Sequence, residues 1–284
     1  MKNIRIIPRL DIKGPNLVKG IHLEGLRVLG KPEEFAEYYY ENGADELMFM
    51  DVVASLYERN SLQNIITRTA KKIFIPLTVG GGLRTIDDIK TVLRAGADKV
   101  SLNTMAIRNP QIIREASLKF GSSTIVVAIE AIKQNDGNYL AYTDNAREHT
   151  GLNVLEWAKK VEELGAGEIV LTSVDKEGTG NGFDLSLIEL IASAVSIPVI
   201  AHGGAGNLTH ISEAIHYKAD AIALGSILHY DYIKQVSSTA HTEKEGNIEF
   251  LKSGKAFSKI ETNNLIDIKD YLLKNHIATR QIKI

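Results

Sequence analysis

The chain has no cysteine in 284 residues. That absence excludes disulfides, thiolate metal sites and any cysteine nucleophile, so a Cys-His-Glu glutaminase cannot be housed here. Charge of one sign is also missing: 33 Lys and Arg against 35 Asp and Glu leave a formal net charge of −2. Nothing in that balance favours nucleic acid or an anionic membrane as a partner. No apolar run approaches the roughly 20 residues that span a bilayer. The first residues, "MKNIRIIPRLDIK", place charges inside the apolar segment and offer no secretory core. A soluble cytoplasmic protein is expected.

What is present is alternation. Short β-branched runs, Ile4–Ile12, Glu46–Asp51, Ile75–Val79, Lys99–Asn103, Thr124–Glu130, Glu168–Val174, Ile197–Ala201 and Ala221–Gly225, read as strands. Between them lie stretches of helical period such as "TIDDIKTVLRAG" and "NVLEWAKKVEELG", ending in glycine, a favoured residue just past a helix. Eight such units with apolar strands predict a parallel sheet covered by helices. Closure into a (β/α)8 barrel is expected over a doubly wound open sheet. The whole of 1–284 reads as one domain, with a β-hairpin insertion at 132–145 around Asp136-Gly137. A polar insertion at 235–264 precedes the last helix.

The sequence also repeats. "GGLRTIDDIKTVLRAGADKVSLNT" (Gly81–Thr104) aligns without gaps on "GGAGNLTHISEAIHYKADAIALGS" (Gly203–Ser226), an offset of 122. Two half-barrels of four units each would give this pattern, and with it a pseudo-two-fold mouth.

Active sites of such barrels lie at the C-terminal strand ends. There Asp11 ends strand 1 and Glu130 ends strand 5, facing each other as an acid/base pair in outline. Lys13 and Lys19 follow in a loop able to fold over the site. Capping a helix or pairing with a lysine is the plainer role for either carboxylate. Phosphate-binding signals occur twice: "VGGGLRT" with Asn103 and Thr104, then "HGGAGN" with Gly225 and Ser226. Glycines let backbone N–H groups approach an anion, and a helix N-terminus adds a favourable dipole. Either run alone is an ordinary tight turn, but two related by one offset suggest a ligand with a phosphate at each end. "DKEGTGNGFD" (Asp175–Asp184) adds a glycine-rich loop on the second side. At the other end Arg5, Glu46, Lys99 and Glu168 start strands 1, 2, 4 and 6, and could close a ring of salt bridges. Scattered solvated charges are the plainer alternative.

At these residues the sequence resembles the cyclase subunit of imidazole glycerol phosphate synthase. The likeness is carried by "RIIPRLDIK", "VKG", "DELMFMDVVAS", "TVGGGLRT", "GADKVSLNT", "GAGEIVLTSVDKEGT" and "GGAG". It runs from about Ile4 to Tyr230 and resumes in the final helix. The resemblance implies a barrel that binds a long substrate with two phosphates. It also implies ammonia supplied by a glutaminase subunit docked at the N-terminal face, and no metal or organic cofactor. By it, Arg5, Glu46, Lys99 and Glu168 match the ammonia gate. Gly82, Asn103 and Thr104 match one phosphate site, and Glu177, Gly178, Gly204, Gly225 and Ser226 the other. Asp11 matches the principal acid/base residue and Lys19 the mobile-loop lysine. Arg9, Asp51, Thr78, Ser101 and Thr172 are expected along the channel and active-site wall.

Several positions depart from that pattern. Arg9 stands where the family has a small side chain, Glu130 and Glu177 where it has aspartate, and His202 where it has serine. His22 and Lys31 replace an asparagine and an aspartate. A buried Arg9 needs a carboxylate, and Glu130 is the expected partner. Because these changes cluster at the mouth, a paralogous role is the alternative. There, partner-derived ammonia would convert a sugar acetamido group to acetamidino in surface polysaccharide synthesis. The isomerase one step earlier in the pathway shares the two phosphate sites but needs no gate. A degenerate barrel that only activates a glutaminase is the non-enzymatic reading.

Overall fold

The computed structural model describes residues 3–54, 62–239 and 259–281. Eight parallel strands close on themselves. In sheet order they are β1 (Arg5–Lys13), β4 (Leu47–Asp51), β5 (Leu77–Gly80), β6 (Lys99–Leu102), β7 (Ile125–Lys133), β10 (Glu168–Ser173), β11 (Val199–His202) and β12 (Ala221–Leu224). The seam is made by β10 against β7 on one side and β12 against β1 on the other. Helices between the strands cover the outside: α1 (Pro32–Glu41), α2 (Gln63–Ala70), α3 (Ile86–Ala95), α4 (Thr104–Arg108), α5 (Gln111–Phe120), α6 (Val154–Glu163), α7 (Leu185–Ala192), α8 (Leu208–His216) and α9 (Ser226–Thr239). A last helix, α10 (Leu265–Lys274), packs beside α8. This is the (β/α)8 barrel that the alternation predicts. Among the described residues no helix is long and apolar enough to cross a membrane.

Side chains alternate across each strand, and the barrel splits its apolar residues accordingly. One large cluster lies between strands and helices, with Ile6, Leu10, Phe49, Val127 and Leu171 on the sheet side. A separate small cluster fills the interior: Ile7, Met48, Val126, Ala128, Val170, Ile200, Ala221 and Ala223. Strands buried on both faces read as continuous apolar runs, which is why they were legible.

The repeat is preserved in atomic detail. Asp98 accepts from the Leu77 amide at 2.9 Å, and Asp220, 122 residues on, accepts from the Val199 amide at 2.8 Å. Thr85 caps α3 by accepting from Asp88 N–H, and Asn207 caps α8 by accepting from His210 N–H. Each half thus fixes its strand start and helix start by the same bonds.

Two excursions rise from the mouth. Strand β1 runs on into β2 (Asn16–Ile21) and β3 (Glu24–Gly30), an antiparallel hairpin where the sequence predicts a loop. The Asp136-Gly137 turn joins β7 to β8 (Tyr139–Thr143), and β9 (Glu148–Asn153) extends that sheet past residue 145. Of the 235–264 segment, residues up to 239 continue α9, and 240–258 lie outside the described residues.

Candidate active site

The floor of the barrel carries a closed ring of charge. Arg5 Nη1 lies 2.5 Å from Glu46 Oε1 and 2.9 Å from Glu168 Oε1. Lys99 Nζ lies 3.1 Å from Glu46 Oε2 and 3.2 Å from Glu168 Oε2. Every cation touches both anions, so the signs alternate around the ring. The strand starts bring the four together although they are scattered over 164 positions of sequence, from residue 5 to residue 168.

Above the ring comes the apolar interior cluster, and above that a polar layer dominated by Arg9. Arg9 is only 4% exposed. Its Nε donates to Asp11 Oδ1 at 2.9 Å, and its Nη1 donates to Thr172 Oγ1 at 3.3 Å and His202 Nδ1 at 3.1 Å. The expected Arg9–Glu130 pair is therefore corrected: Arg9 pairs with Asp11, its neighbour two residues along the same face. Glu130 turns instead to the flap after β8, accepting from the Ala146 amide at 2.7 Å. Enclosure of the Glu130 carboxyl pushes it up to about 7, against the lowering effects of the Ala146 N–H, Arg9 and Asn103. It can therefore hold or release a proton near neutrality.

Two clefts open at the mouth. The first is lined by Gly82, Asn103 and Thr104, with Arg9, Asp51, Ser101 and Glu130 on its inner wall. It also holds Arg84 and Arg108, two cations that sequence reasoning passed over. Arg84 stood in the quoted "GGGLRT", and Arg108 lies one helical turn beyond Thr104, a spacing that could have flagged it. Thr104 Oγ1 accepts from the Asp144 amide at 3.2 Å, tying the flap to this cleft. Thr78 is buried on β5 and does not reach the cleft.

The second cleft is lined by Lys19, Glu177, Gly178, His202, Gly204, Gly225 and Ser226 among others. Lys19, on β2, forms an ion pair with Glu177, and both are buried. The hairpin tip is latched there as well. His22 N–H donates to Glu177 O at 3.0 Å, Leu23 N–H to Glu177 Oε2 at 2.9 Å, and Asn145 Nδ2 to Leu23 O at 2.6 Å. His22 and Leu23 take positive φ of 53° and 63° to make this turn. Gly204 leaves no room for a side chain, because a Cβ would sit 2.1 Å from Gly182 O.

Two inward carboxylates, two glycine-walled clefts and a floor ring thus belong to one barrel. A family model described as "Histidine biosynthesis protein" matches residues 5–234. A Legionella pneumophila protein named "Imidazole glycerol phosphate synthase subunit HisF" is 57% identical over 208 residues, 73% of this chain and 98% of its own. Proteins of the same name from an Exiguobacterium species and from Methanocaldococcus jannaschii are each 50% identical, over 86% and 80% of this chain and 94% and 90% of theirs. The chain belongs to the HisF family of imidazole glycerol phosphate synthase subunits, within the histidine biosynthesis proteins.

Proposed function

We propose that this protein is the ammonia-using cyclase subunit of an imidazole glycerol phosphate synthase. It would convert the bisphosphate ribulosyl aminoimidazole carboxamide to imidazole glycerol phosphate and aminoimidazole carboxamide ribotide. The observation that carries the reading is the pairing, in one barrel, of a closed charged ring at the floor with two glycine-walled clefts at the roof. A ligand with a phosphate at each end would span the clefts and lay its middle over Arg9, Asp11 and Glu130.

On this reading ammonia comes from a glutaminase subunit docked at the N-terminal face. It enters through the ring and crosses the apolar interior as the neutral molecule, since a charged ammonium would be poorly tolerated there. Its nitrogen attacks the ketose carbonyl, water leaves to give an imine, and ring closure follows with cleavage of the N-glycosidic arm. Asp11 and Glu130 move the protons. Glu130, titrating near neutrality, suits a group that both takes and returns a proton.

The acetamidino reading is not favoured, since the relatives at 50–57% identity are HisF subunits. The direct test supplies the purified protein with the bisphosphate substrate and an ammonium salt at alkaline pH. Ammonia-dependent loss of substrate with appearance of both products is expected. No turnover from a folded preparation refutes the assignment.

A further inference from the structure

His202 has no role in the mechanism above, yet its surroundings fix its chemistry. A guanidinium only donates hydrogen bonds, and Arg9 Nη1 lies 3.1 Å from His202 Nδ1. Nδ1 must then be the unprotonated, accepting nitrogen. Thr172 Oγ1, 3.1 Å from the same nitrogen, can direct its hydroxyl proton there too. The proton of the neutral ring therefore sits on Nε2. No described residue hydrogen-bonds Nε2, and His202 is among the residues that line the second cleft. His202 is 5% exposed, so its free N–H is largely shielded from bulk solvent.

The repeat supplies an internal control. The counterpart of His202 in the first half, 122 residues earlier, is Gly80. Gly203, Gly204, Gly225 and Ser226 have matching partners in Gly81, Gly82, Asn103 and Thr104. The imidazole is an addition to one cleft alone, in a position where the other has no side chain.

We propose that His202 is a ligand of the phosphate group bound in the second cleft, donating its Nε2–H, and that Arg9 is a positioning residue that sets this tautomer from beneath. The proposal deepens the two-phosphate reading and rests on it for the natural ligand. Charged groups face the ring from three elements: Arg9 on β1, Lys19 on β2 and Glu177 after β10. Burial first, then Arg9 and Lys19, hold the imidazole pKa well below 6.5, so it stays an uncharged donor through the neutral range. An uncharged donor adds a bond to the anion without drawing Glu177 from Lys19. The Asp11–Arg9–His202 chain also links the acid/base carboxylate mechanically to the occupant of the cleft.

The test is ¹⁵N-imidazole NMR on the full chain, with His202 assigned by loss of its signals in His202→Gln. The wild type is expected to show the Nε2–H tautomer at neutral pH, and its Nε2 resonance to move as inorganic phosphate is added. His202→Phe should weaken phosphate at this cleft, followed at the Gly225 and Ser226 amides, by about tenfold, the scale of one hydrogen bond to a charged group. His202→Gln, which keeps an amide donor near Nε2, should retain most of the affinity. Arg9→Met should release a mixture of tautomers, and a tautomer left unchanged there overturns the role of Arg9. An Nδ1–H tautomer in the wild type, an Nε2 unmoved at saturating phosphate, or undiminished affinity in His202→Phe overturns the ligand assignment. If phosphate moves Nε2 while ammonia-dependent turnover is absent, the reaction assignment falls and this one stands. Turnover with an unchanged substrate KM in His202→Phe gives the reverse.

Discussion

Replacing Arg9 by methionine tests the central electrostatic claim, that a buried ion pair sits inside the barrel. Asp11 is 5% exposed, and Arg9 is its ion-pair partner among the described residues. Methionine fills much of the arginine stem's volume, so the loss is mainly of charge. Breaking a buried pair from one side costs on the order of 3–5 kcal/mol, because the remaining carboxylate is stranded. At roughly 2–3 °C per kcal/mol for a chain of this size, the melting temperature should fall by about 6–15 °C. The double variant Arg9→Met with Asp11→Asn removes both charges and should recover part of the loss. A thermodynamic cycle built from urea titrations followed by ellipticity should give a coupling of at least about 2 kcal/mol. A single variant that loses less than about 1 kcal/mol, or a cycle that closes additively, would refute the stranded-charge account.

Two further outcomes follow from neighbouring groups. Glu130 has its carboxyl pushed up to about 7 from an ordinary 4.5, so the folded chain holds a proton that the unfolded chain has released. Its contribution to stability is complete below about pH 4.5 and is lost as pH rises through 7. Glu130→Gln, which keeps the shape without the charge, should flatten the stability profile between those values. At alkaline pH it should gain on the order of 2–3 kcal/mol over the wild type, read by urea unfolding. A parallel pair of profiles would show that Glu130 does not titrate there. Glu177→Gln should loosen the β2–β3 hairpin, since Glu177 holds both Lys19 and the Leu23 amide. Faster hydrogen exchange at His22 and Leu23, with no change in the core strands, is expected. Unchanged protection at Leu23 would show that the latch does not depend on this charge.

The parts that sequence made legible share a physical cause. Barrel strands are apolar on both faces and stand out from amphipathic helices, and glycine-rich turns mark the strand ends. The offset of 122 then placed two clefts before any coordinates. The ring was only half legible: the strand starts put four charges on one rim, but scattered solvated charges were the plainer reading, and only the resemblance matched them to a ring. The partner of Arg9 was not readable. Reasoning across the barrel favoured Glu130, but a side chain two residues along the same strand is nearer than one on the opposite wall, and Ala146 had already engaged Glu130. The β2–β3 hairpin escaped for another reason. Its outer strand is largely solvent-facing, with Glu24, Gly25 and Arg27 interrupting the alternation. Arg84 and Arg108 were missed although the glycine motif and the helical spacing from Thr104 pointed to them, because a cation beside a turn is more often a solvated one until a concavity forms next to it.

The floor ring has equal numbers of both signs, and that balance has its own result. Two positive and two negative corners cancel at long range, so the ring exerts almost no pull on a distant ion. On the proposed route, entry of ammonia would be governed by girth and by the cost of shedding hydration, not by polarity. Deleting one corner, as in Lys99→Ala, would leave a net anionic rim that gathers cations where the intact ring is indifferent.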